Sequence, residues 1–358
     1  MRQKLDDIWH WLLRQWGVFK PWALRHLRRL TEWLAHIWRV YTARDNRWLT
    51  VPCTVAAIFV LLVLVKSIQG IAYNFTNECR IYKLGYPIEQ AQVLAATLSD
   101  EQADSLIARQ EYDTLAYPLL GERYFILKNF DRYLAFHKAD TTMAPIGDII
   151  ALVNVGADRD RETSAVPCDT TKGQLMLVNG RHYLDKNYKP ENLATFSMDY
   201  CYEHQKAQRV VVDAFMALQQ ACKEQTNAQL MVNSAYRSYQ QQIGTYKRNP
   251  KGYAARAGSS EHQTGFAIDV TSRQHPMRWP FDKSEEGVWM REHCHEYGFI
   301  LRYPEKQSQI FGFAYEPWHL RYVGKEVAKR IHDEDITFVE YYAFYIDNKE
   351  PHAKPLSR

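Results

Sequence analysis

The chain has 358 residues, 46% hydrophobic and 13% aromatic, which suits one large globular domain or two ordinary ones and excludes a disordered chain. Its net charge of +4 is an N-terminal property, since residues 1–48 hold ten Lys/Arg against four Asp/Glu while 35 basic and 37 acidic residues follow from Lys66 onward. The main body is close to neutral and offers no electrostatic footprint for nucleic acid.

The basic segment, residues 1–48, places Leu24, Leu27, Leu34, Ile37 and Trp38 at helical spacing, with Arg25, Arg28, Arg29, Glu32 and Arg39 between them. That pattern predicts an amphipathic helix lying on an anionic membrane surface or against a partner protein. The next run, Leu49–Val65, carries no charge. Its seventeen residues, at 1.5 Å rise each, come near the lower limit for a bilayer core of roughly 30 Å. Extended by the mild Ser67–Tyr73 stretch, it is expected to form one transmembrane anchor over residues 49–72. Arg39, Arg44 and Arg47 then put the N-terminus in the cytoplasm and the rest outside. Of six cysteines, Cys53 lies in that run and Cys79, Cys168, Cys201, Cys222 and Cys294 follow it, with no C-x-x-C spacing. Neither a zinc ribbon nor a thioredoxin-like site is indicated, and no pairing can be read.

Residues 73–174 form an extension of helical character, to which no chemistry is assigned. Tyr86–Tyr112 is helical in period, and "SDEQ" supplies a capping-box start at Ser99. From Leu175 the texture changes to strand, turn and polar loop, followed by an amphipathic helix in Asp199–Gln225 and a strand in "AQLMVNS". "SQIFGFAYEPWHLRYVG" alternates well enough for strands, and a helix closes the domain, 175–350, before a short tail, 351–358. Helices and strands segregate, so the class is α+β: an antiparallel sheet with flanking helices.

Two stretches carry metal-site chemistry. "SSEHQTGFAIDV" holds His262 and Asp269, and "YEPWHLRYVG" holds Glu316 and His319. Imidazole nitrogen and carboxylate oxygen suit zinc, and three protein ligands leave a fourth position for water. A further carboxylate beside that water can take its proton. Strict alternation would put Glu316 and His319 on opposite faces of a strand, so a bend near Pro317 is required. "REHCHEYGF" also offers His293, Cys294, His295 and Glu296, but neighbours on a helix diverge, so a structural helix stopping at Gly298 is expected.

Taken in order, "SAYRSYQQQIGTY", "GSSEHQTGFAIDV", "YGFILRYP" and "YEPWHLRYVG" resemble the D-alanyl-D-alanine carboxypeptidase family of zinc peptidases, which includes vancomycin-resistance D,D-carboxypeptidases and L,D-carboxypeptidases. The family's S-x-H-x-x-G-x-A-x-D motif is met by Ser260, His262, Gly265, Ala267 and Asp269, and its E-x-W-H motif by Glu316, Trp318 and His319. Ala257 departs from the proline often found before the Gly258 loop. The resemblance implies His262, Asp269 and His319 as zinc ligands and Glu316 as catalytic base. It further implies Arg237 at the substrate carboxylate or developing oxyanion, and Gln242, Ser260 and Trp318 near the substrate peptide. Gly265 and Ala267 are then expected to be small so that backbone can pass close to the metal.

The function so implied is removal of a terminal D-alanine from peptidoglycan stem peptides, by an enzyme anchored in the bacterial cell membrane with its catalytic domain outside. A peptidoglycan endopeptidase of related zinc fold and a non-catalytic wall-binding module are the alternatives. The sequence indicates no oligomeric state.

Overall fold

The computed structural model describes residues 73–348 apart from 141–143, 161–162, 250–253, 277 and 306–313, together with a few isolated positions between 59 and 70. The basic segment 1–48, most of the 49–65 run and the tail 351–358 lie outside the described residues. The chain divides into two compact units, Met1–Cys79 and Arg80–Arg358.

The expected membrane-spanning helix requires correction. Among the described residues no helix is long and apolar enough to cross a membrane. In the sequence, Lys66 ends the uncharged run at seventeen residues, short of the about 20 that a spanning helix needs, so the expected anchor leaned on the milder residues beyond it.

The second unit opens with four main helices: α1 (Ile88–Thr97), α2 (Asp100–Ala108), α3 (Phe130–Ala139) and α4 (Ile146–Asn154). Helices α1 and α2 are separate because Ser99 interrupts them. Its hydroxyl accepts from the Gln102 amide while the Gln102 side chain accepts from the Ser99 amide, a complete capping box. Leu94, Leu106, Phe130, Leu134, Ile149 and Val153 close an apolar core between these helices.

The sheet region follows. A hairpin pairs β1 (Leu193–Thr195) with β2 (Lys206–Gln208), and the long helix α5 (Arg209–Thr226) begins directly after it. Strand β3 (Leu230–Ser234) leads to helix α6 (Tyr239–Arg248), then to β4 (Ala267–Ser272), helix α7 (Glu285–His293), β5 (Phe299–Leu301), β6 (His319–Tyr322) and helix α8 (Lys325–Asp333). The four strands β3 to β6 form one antiparallel sheet in the order β3-β4-β6-β5, so the molecule is α+β.

Period-two alternation on the two central strands decides what faces where. Ile268, Val270 and Leu320 join Phe215, Leu218 and Cys222 of α5 in the main core. Asp269 and His319 therefore take the other face, and the register sets them directly opposite each other. A bulge between Val232 and Ser234 shifts β3 so that Ser234 stands opposite Asp269 and the chain leaves the strand at Ala235. Gly298 ends the turn after α7 in the left-handed region (φ 88°), as the sequence suggests. The helical extension meets the end of the sheet region at Glu334, which receives Arg123 at 2.7 Å and the Tyr124 hydroxyl at 3.0 Å.

Candidate active site

His262 sits in a short 3-10 turn, Glu261–Thr264, that closes on Gly265 at φ 73°. A side chain at Gly265 would meet Leu193 and Gln208 at 3.1 and 3.3 Å. Its smallness thus serves the left-handed turn and the hairpin packed against it, rather than an approach of backbone to a metal. The turn places His262 beside the Asp269–His319 pair. One potential ligand atom from each of the three lies within 4.8 Å of the others, and all three residues are buried.

The individual distances test the fit to a cation. His262 Nε2 lies 3.4 Å from Asp269 Oδ1, and His319 Nδ1 lies 3.1 Å from the same oxygen. Zinc bonds of roughly 2.0–2.2 Å in tetrahedral geometry hold their donor atoms about 3.3–3.6 Å apart, so the spacing suits a small cation of that kind. The His262 Nδ1 hydrogen is committed to the Ala235 carbonyl at 2.7 Å, which leaves Nε2 as a lone-pair donor facing Asp269.

Electrostatics point the same way. Burial and Arg237 push the His262 imidazolium down to about 4, so this ring is neutral and able to ligate. Burial also opposes charge on His319, but the Asp269 carboxylate bonded to Nδ1 and the Glu261 carboxylate beside Nε2 outweigh that and hold it up to about 9. Asp269 is held well below the usual carboxylate range, its burial overcome by the two histidines. Two carboxylates around one imidazole thus favour positive charge where a cation would stand.

Glu316 lies outside the set, its Oε2 3.9 Å from His319 Nδ1. Burial raises its carboxyl to about 7. The bend that alternation demands is present: the His319 amide donates to the Glu316 carbonyl at 3.1 Å, and β6 starts only at His319. Arg237 enters from the loop after β3, largely buried, with its Nε lacking a hydrogen-bond partner. It shares a cavity of about 70 Å³ with Ser260, the three clustered residues, Glu316 and Trp318. That volume has room for a few waters.

Residues 204–325 match the family described as VanY, D-alanyl-D-alanine carboxypeptidase. The putative carboxypeptidase YodJ of Bacillus subtilis is 36% identical over 182 residues, 47% of this chain and 66% of that relative's length. The bifunctional D-Ala-D-Ala dipeptidase and carboxypeptidase VanXYC of Enterococcus gallinarum is 33% identical over 183 residues, 48% of this chain and 94% of the relative. The chain belongs to the D-alanyl-D-alanine carboxypeptidase family. Among solved structures, the LdcB LD-carboxypeptidase is similar at 34% identity with a TM-score of 0.47, covering 50% of this chain and 90% of that one.

One residue expected near the substrate, Gln242, is not among those lining the cavity. It is buried on α6 and donates to the Ala255 carbonyl at 2.8 Å. It braces the loop that forms one wall. Conversely, the cavity contains Arg278 and Tyr303, which sequence reading passed over. The Arg278 guanidinium stacks 4.8 Å from the Trp318 ring and 3.8 Å from Asp269 Oδ2. Nothing in its local sequence marks it.

A second omission is Glu261, neighbour of His262. Its carboxylate is fully enclosed with Arg302 and Arg321, and it holds its proton far more weakly than usual because those two guanidiniums outweigh its burial. The "LRYP" and "WHLRYV" segments contain these arginines, but nothing local shows that both converge on one carboxylate. The "REHCHEYGF" stretch is structural: His293 pairs with Glu296 at 2.8 Å, His295 stacks on His332 at 3.7 Å, and Cys294 is buried. The five described cysteines, Cys79, Cys168, Cys201, Cys222 and Cys294, are free.

Proposed function

We propose that the chain is a zinc-dependent D-alanyl-D-alanine carboxypeptidase that removes the terminal D-alanine of peptidoglycan stem peptides. The carrying observation is the buried His262, Asp269 and His319 cluster with Glu316 held just outside it. In this reading those three residues hold the metal. The chemistry a zinc ion supplies when bound is polarisation of a carbonyl and activation of water toward deprotonation.

The chain's own groups do the rest. Glu316, titrating near neutrality, takes a proton from the attacking water and returns it to the leaving amine. Arg237, its Nε free of internal partners, meets the substrate's terminal carboxylate or the charge developing on the scissile carbonyl. Ser260 and Trp318 line the wall against which a small terminal residue rests. We place the domain outside the cytoplasm, where the stem peptides of the wall lie.

Incubating the full chain with defined penta- and tetrapeptide stems and weighing the products tests the reading. Loss of one alanine from the C-terminus is the expected result, and the stem that reacts fixes D,D- against L,D-specificity. Cleavage inside the stem, or no cleavage with zinc bound, would replace the proposal with an endopeptidase or a wall-binding module respectively.

A further inference from the structure

The Glu261 cluster has a job that the proposed chemistry leaves unassigned. Three charged side chains, Glu261, Arg302 and Arg321, are completely enclosed. Burying such a set costs more than burying apolar groups of similar size, so its presence asks for a reason beyond stability. The arginines are fixed from other directions. Arg302 lies over the Tyr303 and Phe338 rings at 4.8 and 5.8 Å. Arg321 donates through Nη2 to the Gln174 and Met176 carbonyls at 3.0 and 2.8 Å.

Both guanidiniums converge on a single carboxylate oxygen. Arg302 Nε stands 2.8 Å and Arg321 Nη1 3.0 Å from Glu261 Oε1. The second oxygen, Oε2, has no hydrogen-bond partner and faces His319 Nε2 at 3.5 Å, an atom that also lacks one. Two unsatisfied buried groups aimed at each other across that gap form an incomplete contact, one that a small movement of the imidazole would complete.

The consequence concerns which His319 nitrogen carries hydrogen. Both ring nitrogens face a carboxylate, Nδ1 toward Asp269 at 3.1 Å and Nε2 toward Glu261 at 3.5 Å; a cation shared by Nδ1 and Asp269 would displace the hydrogen between them, leaving the ring hydrogen on Nε2, where Glu261 is the acceptor. Only that tautomer can complete the ligand cluster. His262 is set the opposite way by the Ala235 carbonyl, which fixes Nδ1–H and frees Nε2. The two imidazoles thus need opposite tautomers, and each has a dedicated acceptor.

We propose that Glu261, clamped by Arg302 and Arg321, is the positioning residue that fixes the His319 tautomer and strengthens its Nδ1 as a metal donor. The proposal rests on the reading that His262, Asp269 and His319 hold zinc. The arginines restrain Glu261 from swinging into the ligand set itself.

Glu261→Gln is the sharp variant. Its amide oxygen would take the two arginines, turning the NH2 toward His319 Nε2 and forcing hydrogen onto Nδ1. Zinc titration of the full chain against a chromophoric chelator should show affinity weakened by roughly 10–100-fold, the usual scale for such outer partners. A melting curve of the zinc-free variant is recorded beside it. A merely structural role would lower the melting temperature and leave the affinity of the folded protein unchanged, which would overturn the proposal.

Should Glu261→Gln fail to fold, the wild-type chain decides. Loaded with cadmium-113 and labelled with 15N-histidine, it should show one-bond splitting at His319 Nδ1 and His262 Nε2. Splitting at His319 Nε2 would overturn the proposal while leaving the metal site in place. A wild-type chain that binds neither zinc nor cadmium would remove the carboxypeptidase reading as well.

Discussion

The helical extension and the catalytic sheet are built on opposite rules. Between Ile81 and Val153 the buried side chains are apolar or tyrosine, and Asn129 is the one other polar residue buried there among the described residues. The catalytic region buries Glu261, His262, Asp269, Glu286, Arg302, Glu316, His319 and Arg321. Apolar burial stabilises at about 25 cal/mol per Å² with no directional demand, whereas each buried charge must be met by a partner at a defined place. The contrast teaches that this protein concentrates its energetically costly groups in one place. That place is where the chemistry is proposed.

The contrast can be broken most severely at the ligand cluster. His319→Ala should lose its zinc and give no product from a stem peptide, and elemental analysis with product mass checks both. A variant that kept full zinc would put the ligands elsewhere. Glu316→Gln should keep its zinc, because the carboxylate stands outside the cluster, yet turn over roughly 10²–10⁴-fold more slowly, the span seen for lost general acid–base catalysis. If it lost the metal, Glu316 would be a ligand and the division of roles would fall.

In the extension the same scale of damage should appear in stability alone. Phe130→Ala empties a fully buried position and is expected to cost about 3–5 kcal/mol, with the zinc content of the folded fraction unchanged. Thermal melts and metal analysis at low temperature together read this, and a matching loss of zinc would show that the two regions are not separable. Arg237→Ala should retain zinc and lower kcat/KM by roughly 10–100-fold, the equivalent of one charge-assisted hydrogen bond of about 1.5–3 kcal/mol. The smallest effect belongs to Ser99→Ala, which removes the capping box and should cost about 1 kcal/mol of stability without any change in turnover.

Legibility followed the same division. The capping box at Ser99, the helix stop at Gly298 and the long helix before β3 are local signals and stood in the sequence, although that helix begins at Arg209, the expected first ten residues from Asp199 holding a turn and strand β2 instead. The three clustered residues could be nominated there because their types and motif spacing suit a metal. Local pattern misled at Gly265, whose smallness serves the left-handed turn and the hairpin packed against it rather than an approach to a metal. For the anchor expected over residues 49–72, no helix among the described residues is long and apolar enough to cross a membrane.

The sequence by itself determined the α+β texture, the donor types and the need for a bend before His319, since these depend on neighbours in the chain. Only the tertiary structure decided that Asp269 stands opposite His319, fifty residues away, and that Gln242 donates to the Ala255 carbonyl. It alone revealed that Arg302 and Arg321 converge on one oxygen of Glu261. The reason is physical. Strand register and the close approach of buried charges come from contacts between distant segments, and no window along the chain contains both partners of such a contact.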